Sequence, residues 1–260
     1  MRKQENPGRT LAAVAVRDVS MHFRIPIEQP SSLKEYVVNL VKGRNQTRLL
    51  KALDHVTLEI PKGEILGIIG TNGSGKSTLL KIIAGALEPT MGEVEADFDS
   101  VLLLTLGTGF DRELTARENV YLNGAILGYS RSYIRERYDE IVAFAELEGF
   151  MDQKIKNFSS GMVSRLGFAV ATARETPGIL ILDEVLGVGD QFFREKSGKR
   201  IQEMINSGAT VLIVSHSADT IRKNCTKAVW LEKGVLRLQG DPAEVCRAYG
   251  EVGKGGMQGC

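Results

Sequence analysis

The chain has 260 residues, 43% of them hydrophobic, with 33 basic against 32 acidic side chains and a formal charge of +1. That balance fits an ordinary globular protein and excludes one that grips nucleic acid by bulk charge. Three cysteines, Cys225, Cys246 and Cys260, fit no metal spacing and point to a reducing compartment; no apolar run approaches the ~18–20 residues that span a bilayer, and residues 1–10 lack a signal-peptide core.

Residues 14–23 alternate around Val16, Val19 and Met21, which predicts a strand broken by Pro26 and Pro30. Leu33, Tyr36, Val37, Leu40 and Val41 recur at helical spacing and end at Gly43. A strand over 49–60 leads to a Pro61-Lys62-Gly63 turn, and 64–69 is a compact apolar run of buried-strand type. A helical period follows over 76–84. The stretch 85–95 reads as broken by Pro89 and Gly92, with short strands beyond it. Helices are expected over 115–127, 132–145 and 159–175. Strands at 179–182 and 210–214 then alternate with helices at 192–205 and 218–223. Two strands, 227–232 and 235–238, and a helix after Pro242 complete the ordered part, leaving a mobile Gly-rich tail at 253–260. Alternating strands and helices imply a mainly parallel sheet covered on both faces.

The 28 glycines of the chain are not spread as a linker. Gly70-Thr71-Asn72-Gly73-Ser74-Gly75-Lys76-Ser77-Thr78 fits the full phosphate-loop pattern, after a buried strand and at the start of a helix. Glycines let successive amides turn toward phosphate oxygens, and the helix N-terminus adds partial positive charge. Lys76 is placed for the β- and γ-phosphates of ATP and Ser77 for Mg²⁺. The bland alternative is a Gly-rich strand–helix turn with no ligand. Ile179-Leu180-Ile181-Leu182-Asp183-Glu184 is an apolar strand ending in two carboxylates. Its carboxyl end belongs beside the phosphate loop, where open α/β sheets bind ligands. Asp183 would hold Mg²⁺ and Glu184 would take a proton from the attacking water. Val211-Leu212-Ile213-Val214 delivers Ser215-His216 to the same edge, so His216 is expected to contact the γ-phosphate.

Phe158-Ser159-Ser160-Gly161-Met162 precedes the predicted helix at 163–175, and Ser159 can cap it. In the order phosphate loop, helical segment, this Ser-Ser-Gly-Met run, Asp183-Glu184, Asp190 and His216, the chain resembles the nucleotide-binding subunit of ATP-binding-cassette transporters. The resemblance covers roughly 14–249. It implies an α/β P-loop NTPase (RecA-like) core with an antiparallel β subdomain and an inserted α-helical subdomain at roughly 108–175, all in one domain over 1–250, with 251–260 as a flexible tail. It also implies a head-to-tail homodimer in which Ser159, Ser160 and Gly161 reach the ATP held by the other copy and Asp190 makes a dimer contact. Phe23 is the match to the aromatic that stacks on adenine, with a core role as the equal alternative and Tyr36 as a weaker candidate.

Two departures from the family pattern stand out. Ser160 and Met162 replace the usual Gly and Gln, and no Gln occurs in 103–110, where the family places one near Leu106. Together with Leu106-Gly107-Thr108-Gly109-Phe110, Glu113-Leu114-Thr115, Arg117-Glu118-Asn119-Val120 and Asp183-Glu184-Val185-Leu186, these look like the exporters of O-antigen, capsule or teichoic acid chains carried on lipid. The inserted helix at 33–41 is typical of that branch. A separate permease, attachment to the cytoplasmic face of the membrane and a lipid-linked polysaccharide reached through the permease are then expected, with no nucleic-acid partner. Some members of the branch continue into a carbohydrate-binding domain; with only a Gly-rich stretch after Tyr249, none is expected here. The rival readings are a drug or small-solute exporter, a non-transport cassette ATPase, and a nucleotide sensor that does not hydrolyse.

Overall fold

The computed structural model describes residues 12–26, 47–104, 109–174, 177–183 and 191–255. Strands β1 (Ala12–Pro26) and β2 (Thr47–Pro61) pair antiparallel, and β4 (Met91–Ala96) adds to the other edge of β1. A bulge interrupts this sheet, with Asp18 and His55 both at φ of 52°. The ladder bonds lost there are replaced by side chains: Thr57 accepts the Asp18 N–H and Ser20 accepts the His55 N–H, each at 3.0 Å. Gly92, expected to break the chain, instead lies inside β4. A Cβ at Gly92 would stand 2.4 Å from the Asp18 carbonyl, so the residue permits a close strand approach at the bulge.

The second sheet has the order β5-β6-β7-β3-β8-β9, built from β5 (Val101–Leu104), β6 (Ile179–Asp183), β7 (Thr210–Val214), β3 (Ile65–Ile69), β8 (Lys227–Glu232) and β9 (Val235–Gly240). All neighbours are parallel except β8 and β9, which form a hairpin. Alternation divides each strand between two cores. Ile179 and Ile181, Leu212 and Val214, and Val229 and Leu231 face helix α1 (Lys76–Ile83) and the antiparallel sheet. Leu180 and Leu182, Val211 and Ile213, and Ala228 face the opposite side. That side is covered by α5 (Gln191–Asn206), α6 (Ala218–Asn224) and α7 (Pro242–Gly255). A sheet buried on both faces needs such near-continuous apolar runs. Helix α7 continues through Gly255, so residues 251–255 of the expected tail are helical and only 256–260 lie outside the described residues.

A third core joins α2 (Ala116–Ile126), α3 (Arg131–Ala145) and α4 (Ser160–Ala171). Each starts on a side-chain cap. Thr115 and Glu118 form a reciprocal capping box, Ser130 accepts from the Tyr133 amide and Ser159 from the Met162 amide. Helix α4 stops at Ala171, short of the expected end at 175. Thr172 turns its hydroxyl onto the Phe168 carbonyl, while the Tyr129 and Tyr133 hydroxyls take the carbonyls of Ala171 and Ala173. The final carbonyls are thus satisfied from α3 and the turn before it rather than by another helical turn. The expected helix at 33–41 lies outside the described residues.

Candidate functional site: the phosphate-loop cleft

Strand β3 ends at Ile69 and α1 begins at Lys76, so the glycine-rich loop is the link between a buried strand and a helix N-terminus. Gly75 is the N-cap, at φ of 104°, and offers no side chain to the free amides of the first turn. No acidic residue lies in that turn either. A helix start of this kind, with amides that the chain itself does not cap, is suited to an external anion. Lys76 is buried, and its ammonium reaches back across the loop to the carbonyls of Gly70 (2.8 Å) and Thr71 (2.9 Å).

A cleft of about 510 Å³ opens over this loop. It is lined by residues 72–78 of the loop and helix start, by Asp183, and by Phe23, Leu50, Lys51 and Ala52. Asp183 is the last residue of β6 and is half-buried, aligned with Val214 of β7. It therefore comes to the cleft from two strands away, as the carboxyl-edge rule requires. Ser77 is exposed. A hydroxyl and one carboxylate are hard oxygen donors, too few to cage a metal alone. Among the described residues no group of three His, Cys, Asp or Glu side chains could do so. This donor set would fit Mg²⁺, a hard cation that needs few protein ligands.

Phe23 stands opposite Leu50 in the β1–β2 ladder, half-buried. It packs against the first core and also edges the cleft, so the two sequence readings of this ring are compatible. No sequence motif marks Leu50, Lys51 or Ala52 as lining the cleft. Only the pairing register, which sets Leu50 against Phe23, reveals them.

His216 follows β7, the strand between β6 and β3. The Ser215 amide donates to the Ile68 carbonyl (3.3 Å), and the Ser215 hydroxyl accepts from the Ser217 amide (3.0 Å). Ser217 in turn caps α6. This tight turn presents His216 on the surface at the same sheet edge, outside the cleft wall itself. Ser159 and Ser160 are exposed and Gly161 half-buried at the start of α4, and none of the three lines the cleft of their own chain. Met162 is held through its amide by Ser159 at 3.2 Å. Glu184 and Asp190, and the 105–108 stretch where a Gln was missed, lie outside the described residues.

A further residue organises the approach to α2. Asn119 is fully buried, and its amide accepts from the Asp111 N–H (2.8 Å) while donating to the carbonyls of Asp111 (2.9 Å) and Thr115 (2.9 Å). In the sequence it was visible only as part of the Arg117-Glu118-Asn119-Val120 run.

The family model described as ABC transporter matches residues 53–187. The O-antigen export system ATP-binding protein RfbB of Myxococcus xanthus is 41% identical over 248 residues, 94% of this chain and 56% of that protein. Its Klebsiella pneumoniae namesake is 41% identical over 210 residues, 81% of this chain and 83% of that protein. The teichoic acids export ATP-binding protein TagH of Bacillus anthracis is 42% identical over 200 residues, 77% of this chain and 36% of that protein. The chain thus spans little more than half the length of the Myxococcus relative and a third of the Bacillus one. Among solved structures, the dimeric ATP-binding cassette MJ0796 in a post-hydrolysis state with ADP and Pi superposes with a TM-score of 0.66. It is 26% identical and covers 88% of this chain and 98% of its own. The loop, the carboxylate beside it, the helical layer and these matches lead to one assignment: the chain belongs to the ATP-binding-cassette transporter family.

Proposed function

We propose that this chain is the ATP-hydrolysing subunit of a transporter that exports a lipid-linked surface polysaccharide or teichoic-acid-type polymer. It works as a homodimer on the cytoplasmic face of the membrane and drives a separate integral-membrane permease. The observation that carries the reading is the single cleft in which the uncapped start of α1, Lys76, Ser77, Asp183 and Phe23 meet. The polymer class is supported by the names of the relatives and by the branch motifs; among the described residues no helix is long and apolar enough to cross a membrane, in keeping with a separate permease.

In this reading the loop amides and Lys76 receive the β- and γ-phosphates, and Phe23 carries the adenine. Ser77 and Asp183 would hold Mg²⁺, which would supply positive charge beside the phosphate oxygens. Glu184 takes the proton from the water that attacks the γ-phosphorus, and His216 orients that phosphate. Ser159, Ser160 and Gly161 of a second copy close the site with a capped helix start, and Asp190 contacts that copy. Ser159 and Ser160 are exposed and do not line their own cleft, which supports an action on a partner.

The test is genetic. In the source organism, deletion of the gene should trap polymer inside the cell, and wild-type protein should restore surface glycan. A Glu184→Gln variant expressed at the same level should not. Normal surface glycan in the deletion strain would contradict the proposal.

A further inference from the structure

The rear of the phosphate loop is held by an element that no motif marks. Strands β8 and β9 are joined by Lys233 and Gly234, at φ of 48° and 80°. Two residues at positive φ make the hairpin turn whose twist matches its strands. The Gly234 N–H donates to the Ser74 carbonyl (2.9 Å), and the Gly234 carbonyl accepts from the Asp54 N–H (2.9 Å). One residue therefore ties the phosphate loop to β2.

The direction of that bond matters. A trans peptide is planar, with its C=O and N–H pointing to opposite sides. Fixing the Ser74 carbonyl toward the hairpin aims the Gly75 N–H the other way, into the cleft that Gly75 lines. The Ser74 side chain does not hold this peptide: it is buried, and its hydroxyl bonds no described residue. The space is equally specified. The Ala52 carbonyl sits between two glycines, and a Cβ would stand 2.4 Å from it at Gly75 and 2.8 Å from it at Gly234. Three segments from β2, the loop and the hairpin fit together only without those side chains.

We propose that the Lys233–Gly234 turn is a positioning element for the phosphate loop, holding the Ser74–Gly75 peptide with its N–H toward the phosphates of a bound nucleotide. This rests on the nucleotide reading of the cleft. An anion accepting from the Gly75 N–H polarises the same peptide and strengthens the bond behind it. Occupancy of the cleft is therefore felt at Gly234.

The experiment uses the whole chain and three proteins: wild type, Gly234→Ala and Gly208→Ala. Gly208 has φ of 87° with nothing within 4 Å of an added Cβ, so its variant carries backbone strain without touching the loop. Thermal unfolding, Mg·ADP affinity, and KM and kcat for ATP are measured on each. Gly234→Ala should weaken Mg·ADP about tenfold and raise KM more than it lowers kcat, the cost of one misaimed charge-assisted hydrogen bond. Gly208→Ala should lose stability and keep its affinity. Equal affinity in the two variants would overturn the inference. In the wild type, hydrogen exchange at the Gly234 amide should slow on adding Mg·ADP, and an unchanged rate would overturn it even if Gly234→Ala does not fold. A wild type that binds no Mg·ADP would overturn the nucleotide reading and this inference with it.

Discussion

Glu64 immediately precedes β3, the strand that delivers the phosphate loop, and its side chain is only 12% exposed. The Lys227 ammonium donates to it at 2.8 Å, and the Thr226 hydroxyl donates to its other oxygen. Burial works against the ionised carboxyl, but the bonds from Lys227 and Thr226 outweigh it and hold its pKa below the usual carboxylate range. A depressed folded pKa contributes stability that is present above the ordinary carboxylate range and is lost as pH falls through the folded value. Lys227→Met reverses this sign. The carboxylate keeps its burial and loses its cation, so its pKa rises and the charged form becomes a burden at neutral pH. Breaking a fully buried pair costs ~3–5 kcal/mol; with the Lys227 side chain 46% exposed, water screens the pair, and ~1–2 kcal/mol is expected. For a chain of this size that is a fall in Tm of roughly 3–6 °C at pH 7. Adding Glu64→Gln removes the orphaned charge and should recover most of the loss. Thermal unfolding from pH 7 down to about pH 4 reads both effects. Wild type should lose stability toward the acid end of that range, whereas Lys227→Met should hold or gain between pH 7 and about pH 5. Equal losses in Lys227→Met and the double variant, with parallel pH profiles, would refute the reasoning.

Gly75→Ala should cost ~2–4 kcal/mol in unfolding measurements, because it adds positive-φ strain to a 2.4 Å collision with the Ala52 carbonyl. Gly73, at φ of 77° in open space, should cost only ~1–2 kcal/mol when changed to Ala, and equal costs would contradict the packing argument. Asn119→Ala strands the Asp111 amide and the Asp111 carbonyl, while the Thr115 carbonyl keeps the backbone N–H of residue 119, so a loss of ~1–3 kcal/mol and faster exchange at Asp111 are expected; stability within ~0.5 kcal/mol of wild type would count against its role. Burial, with a smaller contribution from Cys246, pushes the Cys225 thiol up to about 12. In a Cys260→Ser background at pH 8, iodoacetamide should therefore label neither Cys225 nor Cys246 until the protein unfolds, and rapid native labelling would contradict their environment.

Much of this architecture was legible because local chemistry and global position agree. The phosphate loop is read from spacing alone, and the strands at Ile179 and Val211 from unbroken apolar runs that only a sheet covered on both faces can hide. What was not legible depended on pairing. Gly92 looked like a break because its role, room for the Asp18 carbonyl, exists only once β4 lies against the bulge. Leu50 and Lys51 enter the cleft wall through their register with β1, and α4 ends early where Tyr129 takes the Ala171 carbonyl and Tyr133 that of Ala173 just beyond it. Composition alone reads Gly253 to Gly255 as a tail, yet they continue an amphipathic helix that already packs through Val245 and Cys246. Glu184 and Asp190 stand on sequence order and resemblance.

Phosphate release from Mg·ATP tests the proposal that this cleft hydrolyses ATP with Glu184 as base. Purified wild type is compared with Glu184→Gln and Lys76→Ala. The wild type should turn over, and Glu184→Gln should lose roughly 10²-fold or more with nucleotide binding retained. Lys76→Ala should lose binding as well. Turnover by Glu184→Gln at the wild-type rate, or no phosphate release by the wild type, would contradict the proposal.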